Sequence, residues 1–107
     1  MTENPSLTVL PSPKTVVMYS KSQCVQCDAM KRAIAKTDVL VNELDATTAE
    51  NRQLCIDLGY MQAPVTVVYQ NGEITDSWSG FNPNKVNELK NDPLVVRVPT
   101  GGHELAA

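Results

Sequence analysis

The sequence predicts an α/β sandwich, a four-stranded mixed sheet in the order β-α-β-α-β-β-α flanked by three helices. Three observations carry this expectation. A continuous apolar, β-branched run at Thr15–Ser20 is followed by a helix-forming stretch and then a second strand-like stretch. Together these span about 30 residues, the pattern of a βαβ unit with a right-handed crossover. Asn71-Gly72 divides two further strand-like segments and supplies the positive φ angles of a two-residue hairpin. Asn82-Pro83 then opens a last helix with an N-cap and a first-turn proline.

Taken in order, residues 1–14 read as an irregular lead-in, because Pro5, Pro11 and Pro13 lack amide donors. Thr15–Ser20 is the first strand, and Lys21-Ser22-Gln23 a polar loop. From Cys24 to about Lys36 the residues are helix formers, with Met30, Ala33, Ile34 and Thr37 at helical spacing. Val39–Leu44 returns to strand composition. Thr47-Thr48-Ala49-Glu50 fits a capping box, so a second helix is expected from about Thr48 to Leu58, ending at Gly59. Val65–Tyr69 and Glu73–Trp78 are the strands of the hairpin, and Pro83–Asn91 the third helix. The domain is thus placed at 15–91. Residues 92–107 form a C-terminal extension, in which Leu94–Val98 reads as an added edge strand and Pro99-Thr100-Gly101-Gly102 as a turn or a loose tail.

With 107 residues the chain has room for one core. Its 42% hydrophobic and 20% charged residues are ordinary for a globular domain and exclude a disordered chain. A net charge of −3 argues against a nucleic-acid binder, whose affinity depends on neutralising phosphates. No run approaches the roughly 18 apolar residues that would span a bilayer. Met1–Lys14 holds Glu3 and three prolines and no apolar stretch of secretory length, so a cytoplasmic monomer without membrane association is expected.

Three cysteines, Cys24, Cys27 and Cys55, are too few for a disulfide-stapled secreted scaffold. Cys24-Val25-Gln26-Cys27 stands where a strand gives way to a helix. A thiolate is the nucleophile of disulfide exchange, and a free cysteine near pKa 8.5 is only a few per cent ionised at neutral pH. The unpaired amides and positive dipole end of a helix N-terminus favour an anion at Cys24, by about 0.3–1 kcal/mol when exposed and up to about 2 when partly buried. Residues i and i+3 on a helix have Cβ atoms about 5–6 Å apart, against about 3.8 Å in a disulfide. A first cysteine at the not-yet-helical terminus closes that gap. Cys24 is therefore expected to be the exposed attacking thiol and Cys27, one turn inward, the resolving thiol. The competing reading, a zinc half-site, needs four ligands. Only Cys55 and His103 remain as donors, without partner spacing, so no metal is expected.

Three motifs in sequence order carry a resemblance: Cys24-Val25-Gln26-Cys27, Gly59-Tyr60-Met61-Gln62-Ala63-Pro64-Val65 and Trp78-Ser79-Gly80-Phe81-Asn82-Pro83. With these, Thr15–Lys90 resembles the NrdH-type redoxins, glutaredoxin-like proteins of the thioredoxin superfamily that behave functionally like thioredoxin. The resemblance implies the thioredoxin fold, with a cis peptide at Ala63-Pro64 facing the dithiol. An Ala-Pro before a strand would otherwise be read as trans. It implies reduction by thioredoxin reductase, whose NADPH and FAD stay on that partner, so that this chain holds no cofactor beyond its redox-active Cys24–Cys27 disulfide. It further implies delivery of electrons to the large subunit of a class Ib ribonucleotide reductase. Ala63 and Pro64 would form the docking ledge, with Lys21, Val25, Gln26, Trp78, Gly80 and Phe81 in the surrounding contact surface.

Ordinary glutaredoxins carry Pro-Tyr between the cysteines and a double-glycine turn before the last helix, where the tripeptide carboxylate is held. Here Val25-Gln26 and Gly80-Phe81 stand in those places. A glutathione-dependent glutaredoxin is therefore the alternative, and a non-catalytic module with a regulatory disulfide the third reading. Lys21 either sets a positive charge near the thiolate or is a solvated loop lysine. Cys55, beside Leu54 and Leu58, reads as a small buried hydrophobe. Asp28 either caps the first helix or bears on the dithiol's protons; the sequence leaves both open.

Overall fold

The computed structural model describes residues 11–99. The elements follow the expected order: β1 (Lys14–Ser20), α1 (Val25–Ala35), β2 (Val41–Asp45), α2 (Ala49–Asp57), β3 (Val65–Gln70), β4 (Glu73–Ser79) and α3 (Pro83–Asn91). The strands lie side by side as β2-β1-β3-β4. β1 runs parallel to β2, with Val16 opposite Val41, and antiparallel to β3, with Val17 opposite Val67. The β3–β4 hairpin turns through Asn71 and Gly72 at φ 57° and 77°, the primed geometry that suits right-twisted strands.

Alternation along the strands sends side chains to two buried faces. Val16 and Met18 of β1, Val68 of β3 and Trp78 of β4 meet Met30 and Ile34 of α1 and Val86 and Leu89 of α3. On the other face Tyr19, Val65 and Val67 meet Cys55 of α2, with Val17, Leu54, Leu58 and Tyr60 packed around them. Coverage of both faces explains why β3 reads as a nearly unbroken apolar run.

Two expectations change at element ends. The capping box is out of register by one residue: Thr48 is the N-cap, its hydroxyl accepting from the Asn51 amide at 3.2 Å. Thr47 is captured instead by Asp45, which accepts from its amide and hydroxyl at 2.8 and 2.6 Å. Glu50 is left to act on the helix dipole alone. The second change concerns Leu94–Val98, which forms two isolated bridges, Lys14 with Val95 and Val39 with Arg97, instead of an edge strand. This strap enters between the N-terminal ends of β1 and β2. Lys14 N–H donates to Leu94 O and Val96 N–H to Lys14 O, while Leu40 N–H donates to Val96 O and Val98 N–H to Asp38 O. Val95 is buried in the core. Ion pairs Lys14–Asp92 at 2.8 Å and Arg97–Asp38 at 2.9 Å close its two sides. The lead-in 1–10 and the segment 100–107 with His103 lie outside the described residues.

Candidate active site

β1 ends at Ser20, and Gln23 at φ 54° turns the chain so that Cys24 enters as the N-cap of α1. Cys24 is still extended, at φ −126° and ψ 104°, while Cys27 lies within the first helical turn. The two are joined by a disulfide with Cα atoms 5.2 Å apart, inside the range such a bond spans. The Cys27 amide points at Cys24 Sγ, 3.1 Å away. That donor is aimed where the negative charge of a Cys24 thiolate resides, and hydrogen bonds to ionised acceptors are about twice as strong as neutral ones. The helix end is therefore asymmetric, favouring a thiolate at Cys24 over one at Cys27.

Cys24 is less open than the sequence led us to expect. It is 7% exposed against 0% for Cys27, so the order of access holds while the description of Cys24 as an exposed thiol is corrected. The cause is the ledge on its other side: Cys24 Sγ lies 3.7 Å from the Ala63 carbonyl oxygen. Ala63-Pro64 is cis, and the Pro64 side chain is fully buried. Three hydrogen bonds tie this ledge to the end of β4 and back to α1. Gly80 N–H donates to Pro64 O at 2.8 Å, and the Ser79 hydroxyl to Gln62 O at 2.6 Å. The Phe81 amide donates to Gln26 Oε1 at 2.9 Å. Gly80, at φ +84°, leaves room for this last contact, since a Cβ there would sit 2.8 Å from Gln26 Oε1.

The remaining expected residues divide. Val25, 81% exposed, stands on the rim, and Phe81 is half-buried against the core. Trp78 is corrected: it is not contact surface but 7% exposed, packed in the core formed with α1 and α3. It stands opposite Thr66, itself fully buried, so both point inward, and Lys85 covers its ring at 5.3 Å. Lys21 is exposed and lines a groove of about 330 Å³ beside the ledge, together with Arg52, Tyr60, Met61 and Ala63. Cys55 forms part of that groove's floor; it is a free thiol, and burial pushes its pKa up. The structure adds Arg52 and Met61, the latter 85% exposed. Met61 lies within the Gly59–Val65 motif, whereas Arg52 reaches the groove only because α2 packs beside the ledge. Among the described residues no cluster of three His, Cys, Asp or Glu could hold a metal ion.

Comparison with known proteins agrees with this geometry. Residues 16–74 match the Glutaredoxin family model. The glutaredoxin-like protein NrdH of Salmonella typhimurium is 30% identical over 88 residues, covering 74% of this chain and 93% of that protein. Its counterpart from Escherichia coli K12 is 32% identical over 80 residues, 73% of this chain and 91% of that protein. Among solved structures, the NrdH-redoxin of Escherichia coli, described as having a thioredoxin-like activity profile, superposes with a TM-score of 0.65 at 29% identity. It covers 74% of this chain and 99% of its own. Thioredoxin f2 of Chlamydomonas reinhardtii shares the fold, with a TM-score of 0.59 at 23% identity over 81% of this chain and 84% of its own.

Proposed function

Because this chain belongs to the glutaredoxin family, among its NrdH-type redoxins, and is a thiol–disulfide oxidoreductase, we propose that it carries electrons from thioredoxin reductase to a protein disulfide. We propose as that target the large subunit of a class Ib ribonucleotide reductase. The Cys24 thiolate attacks one sulfur of the target disulfide, forming a mixed disulfide and releasing the first target thiolate. Cys27, deprotonated in turn, attacks Cys24 Sγ, closes the Cys24–Cys27 disulfide and releases the second. Two electrons leave the protein dithiol and two protons complete the target's thiols. Thioredoxin reductase, drawing on NADPH, would return the Cys24–Cys27 disulfide to the dithiol state.

One observation carries the choice of electron donor. The Phe81 amide, which precedes the N-cap of α3 and would attract a carboxylate, is already taken by Gln26 Oε1. Glutathione, a thiol with two carboxylates, meets a filled position there. The test is NADPH oxidation with excess disulfide substrate, driven either by thioredoxin reductase or by glutathione with its reductase. At least ten-fold faster turnover with thioredoxin reductase is expected. Equal or faster turnover with glutathione would replace this reading by that of a glutathione-dependent glutaredoxin.

A further inference from the structure

Beneath the first turn of α1 the sheet carries two polar atoms that the exchange above does not employ. Thr66 Oγ1 and Trp78 Nε1 are both buried and have no hydrogen-bond partner. Buried polar atoms are nearly always satisfied, because an unmet donor or acceptor forfeits its hydration without compensation. The two residues stand directly opposite each other on β3 and β4, and Thr66 also stands opposite Met18 on β1. Side chains directly opposite on one face have Cβ atoms about 4.5–5.5 Å apart, close enough for one water to bond both. Thr66 is fully buried. The other hydroxyl buried among the described residues, that of Ser20, is engaged with Glu43.

This row lies where the resolving thiol needs a partner. Cys27, Met30 and Ile34 form the buried stripe of α1, and Met30 and Ile34 pack on the sheet face that holds Met18 and Trp78. From Pro64 at the ledge, β3 steps inward to Thr66 by about 6.6 Å, while α1 rises about 4.5 Å from Cys24 to Cys27. Cys24 thus stands at the ledge and Cys27 over the row of Thr66. Cys27 is 0% exposed, and burial among apolar side chains opposes its ionisation. In resolution its proton passes to the first target thiolate. The Cys27 thiolate then attacks Cys24 Sγ, the Cys24–Cys27 bond forms, and the second target thiolate leaves and takes a proton from solvent. We propose that Thr66 and Trp78 bind one internal water that donates a hydrogen bond to the Cys27 thiolate, which makes Thr66 a positioning residue for resolution. The indole N–H donates to the water oxygen, the Thr66 hydroxyl oxygen accepts one of the water's hydrogens, and the other is directed to sulfur. The proposal rests on the exchange above and names the group that serves its second step.

The test separates the two steps with the aromatic disulfide dithiobis(nitrobenzoate), mixed with an excess of the pre-reduced full chain. Attack by Cys24 releases one coloured nitrothiobenzoate, and resolution by Cys27 releases the second. Thr66→Val is expected to slow the second release about five- to thirty-fold and to change the first by less than about two-fold. Thr66→Ser, which keeps the hydroxyl, should restore the second release to within about two-fold of the unmutated rate. Trp78 is the chain's one tryptophan, so its emission in the reduced protein reads the same water. Thr66→Val should move the emission maximum to shorter wavelength, and Thr66→Ser should leave it in place. If Thr66→Val does not fold, Thr66→Ala removes the same hydroxyl and is read against Thr66→Ser in the same way. An unchanged second release in the variant without the hydroxyl, an equal slowing of both releases, or a failure of Ser to restore the rate would overturn the proposal. An unmoved emission maximum would overturn the shared water. If the unmutated protein gave no first release, the exchange reading itself would fail, a result distinct from a lost second phase.

Discussion

The contact between Gln26 and Gly80 can be tested as a pair. Gln26 Oε1 accepts from the Phe81 amide at 2.9 Å, and a Cβ on Gly80 would lie 2.8 Å from the same oxygen. Gln26→Ala removes one neutral, solvent-accessible hydrogen bond, a loss of about 0.5–1.5 kcal/mol with the lower end favoured where water can replace the acceptor. Gly80→Ala has two costs. An L-residue at φ +84° is strained by about 1–2 kcal/mol. The new methyl also displaces the Gln26 amide, which forfeits the bond to Phe81. In a Gln26→Ala background the second cost has already been incurred, so only the backbone strain remains. The double variant is therefore expected to be more stable than the sum of the singles predicts, by about 0.5–1.5 kcal/mol.

Urea unfolding of the oxidised proteins measures this, provided the m-value is shared by all four. The same variants report on function, because Gly80 N–H holds Pro64 O at 2.8 Å and Pro64 is the ledge beside Cys24. Gln26→Ala should lower kcat/KM for a protein disulfide by roughly two- to ten-fold, the rate equivalent of about 0.4–1.4 kcal/mol. It should also raise turnover with glutathione by freeing the Phe81 amide. Additivity within about 0.3 kcal/mol would refute the coupling, and with it the view that Gln26 and Gly80 are matched to each other.

Three further outcomes follow from the geometry. Cys27→Ser should accumulate a mixed disulfide through Cys24, and limiting alkylation of the reduced protein should label Cys24 before Cys27 or Cys55; mass mapping that found either of the others first would reverse the roles. Val95→Ala, which removes two carbons from a site 2% exposed, should cost about 1.5–3 kcal/mol in urea unfolding. Asp92 is held below the usual carboxylate range first by the Lys14 side chain and then by the Leu94 amide. Its contribution is present above the unfolded value near 3.8 and is lost as pH falls through the lower folded value. Asp92→Asn should therefore be less stable by about 0.2–1 kcal/mol at pH 7, with the gap closing as pH falls below 3.8 in parallel unfolding curves; a gap independent of pH would contradict the ion pair.

Local chemistry made most of the fold legible. Asn82-Pro83 marks the start of α3, Asn71-Gly72 the hairpin, and Val65–Gln70 reads as buried because both its faces are covered. The dithiol was legible for the same reason: cap position and spacing are local properties. What failed depended on how neighbouring elements meet. Thr47 and Thr48 are equally good caps until Asp45, at the end of β2, claims the first of them. Trp78 could have faced either way in a terminal strand; the helices α1 and α3 on one face of the sheet decide that it points inward. Arg52 carries no local signal, being one exposed charge on a helix with others.

The strap shows how far the core's support reaches towards the site. About a quarter of this chain lies outside the superposition with the NrdH-redoxin of Escherichia coli, although that protein is covered almost completely. Both β1 and α3 run between the strap end of the molecule and the dithiol end. β1 begins at Lys14, which pairs with the strap, and ends beside the loop that carries Cys24. α3 begins after Phe81 and ends at Asp92, whose carboxylate holds Lys14 at 2.8 Å. Over nine residues α3 spans only about 14 Å, a short path from the strap to the ledge. Yet the ledge has its own ties, Gly80 to Pro64 and Phe81 to Gln26, and none of them passes through the strap. Loosening Val95 should therefore lower the folded fraction while leaving kcat/KM per folded molecule within about two-fold, because less than about 0.4 kcal/mol would reach the reacting geometry. A larger loss of turnover, measured well below the unfolding transition with folded protein quantified by circular dichroism, would show that the strap acts on the site through α3.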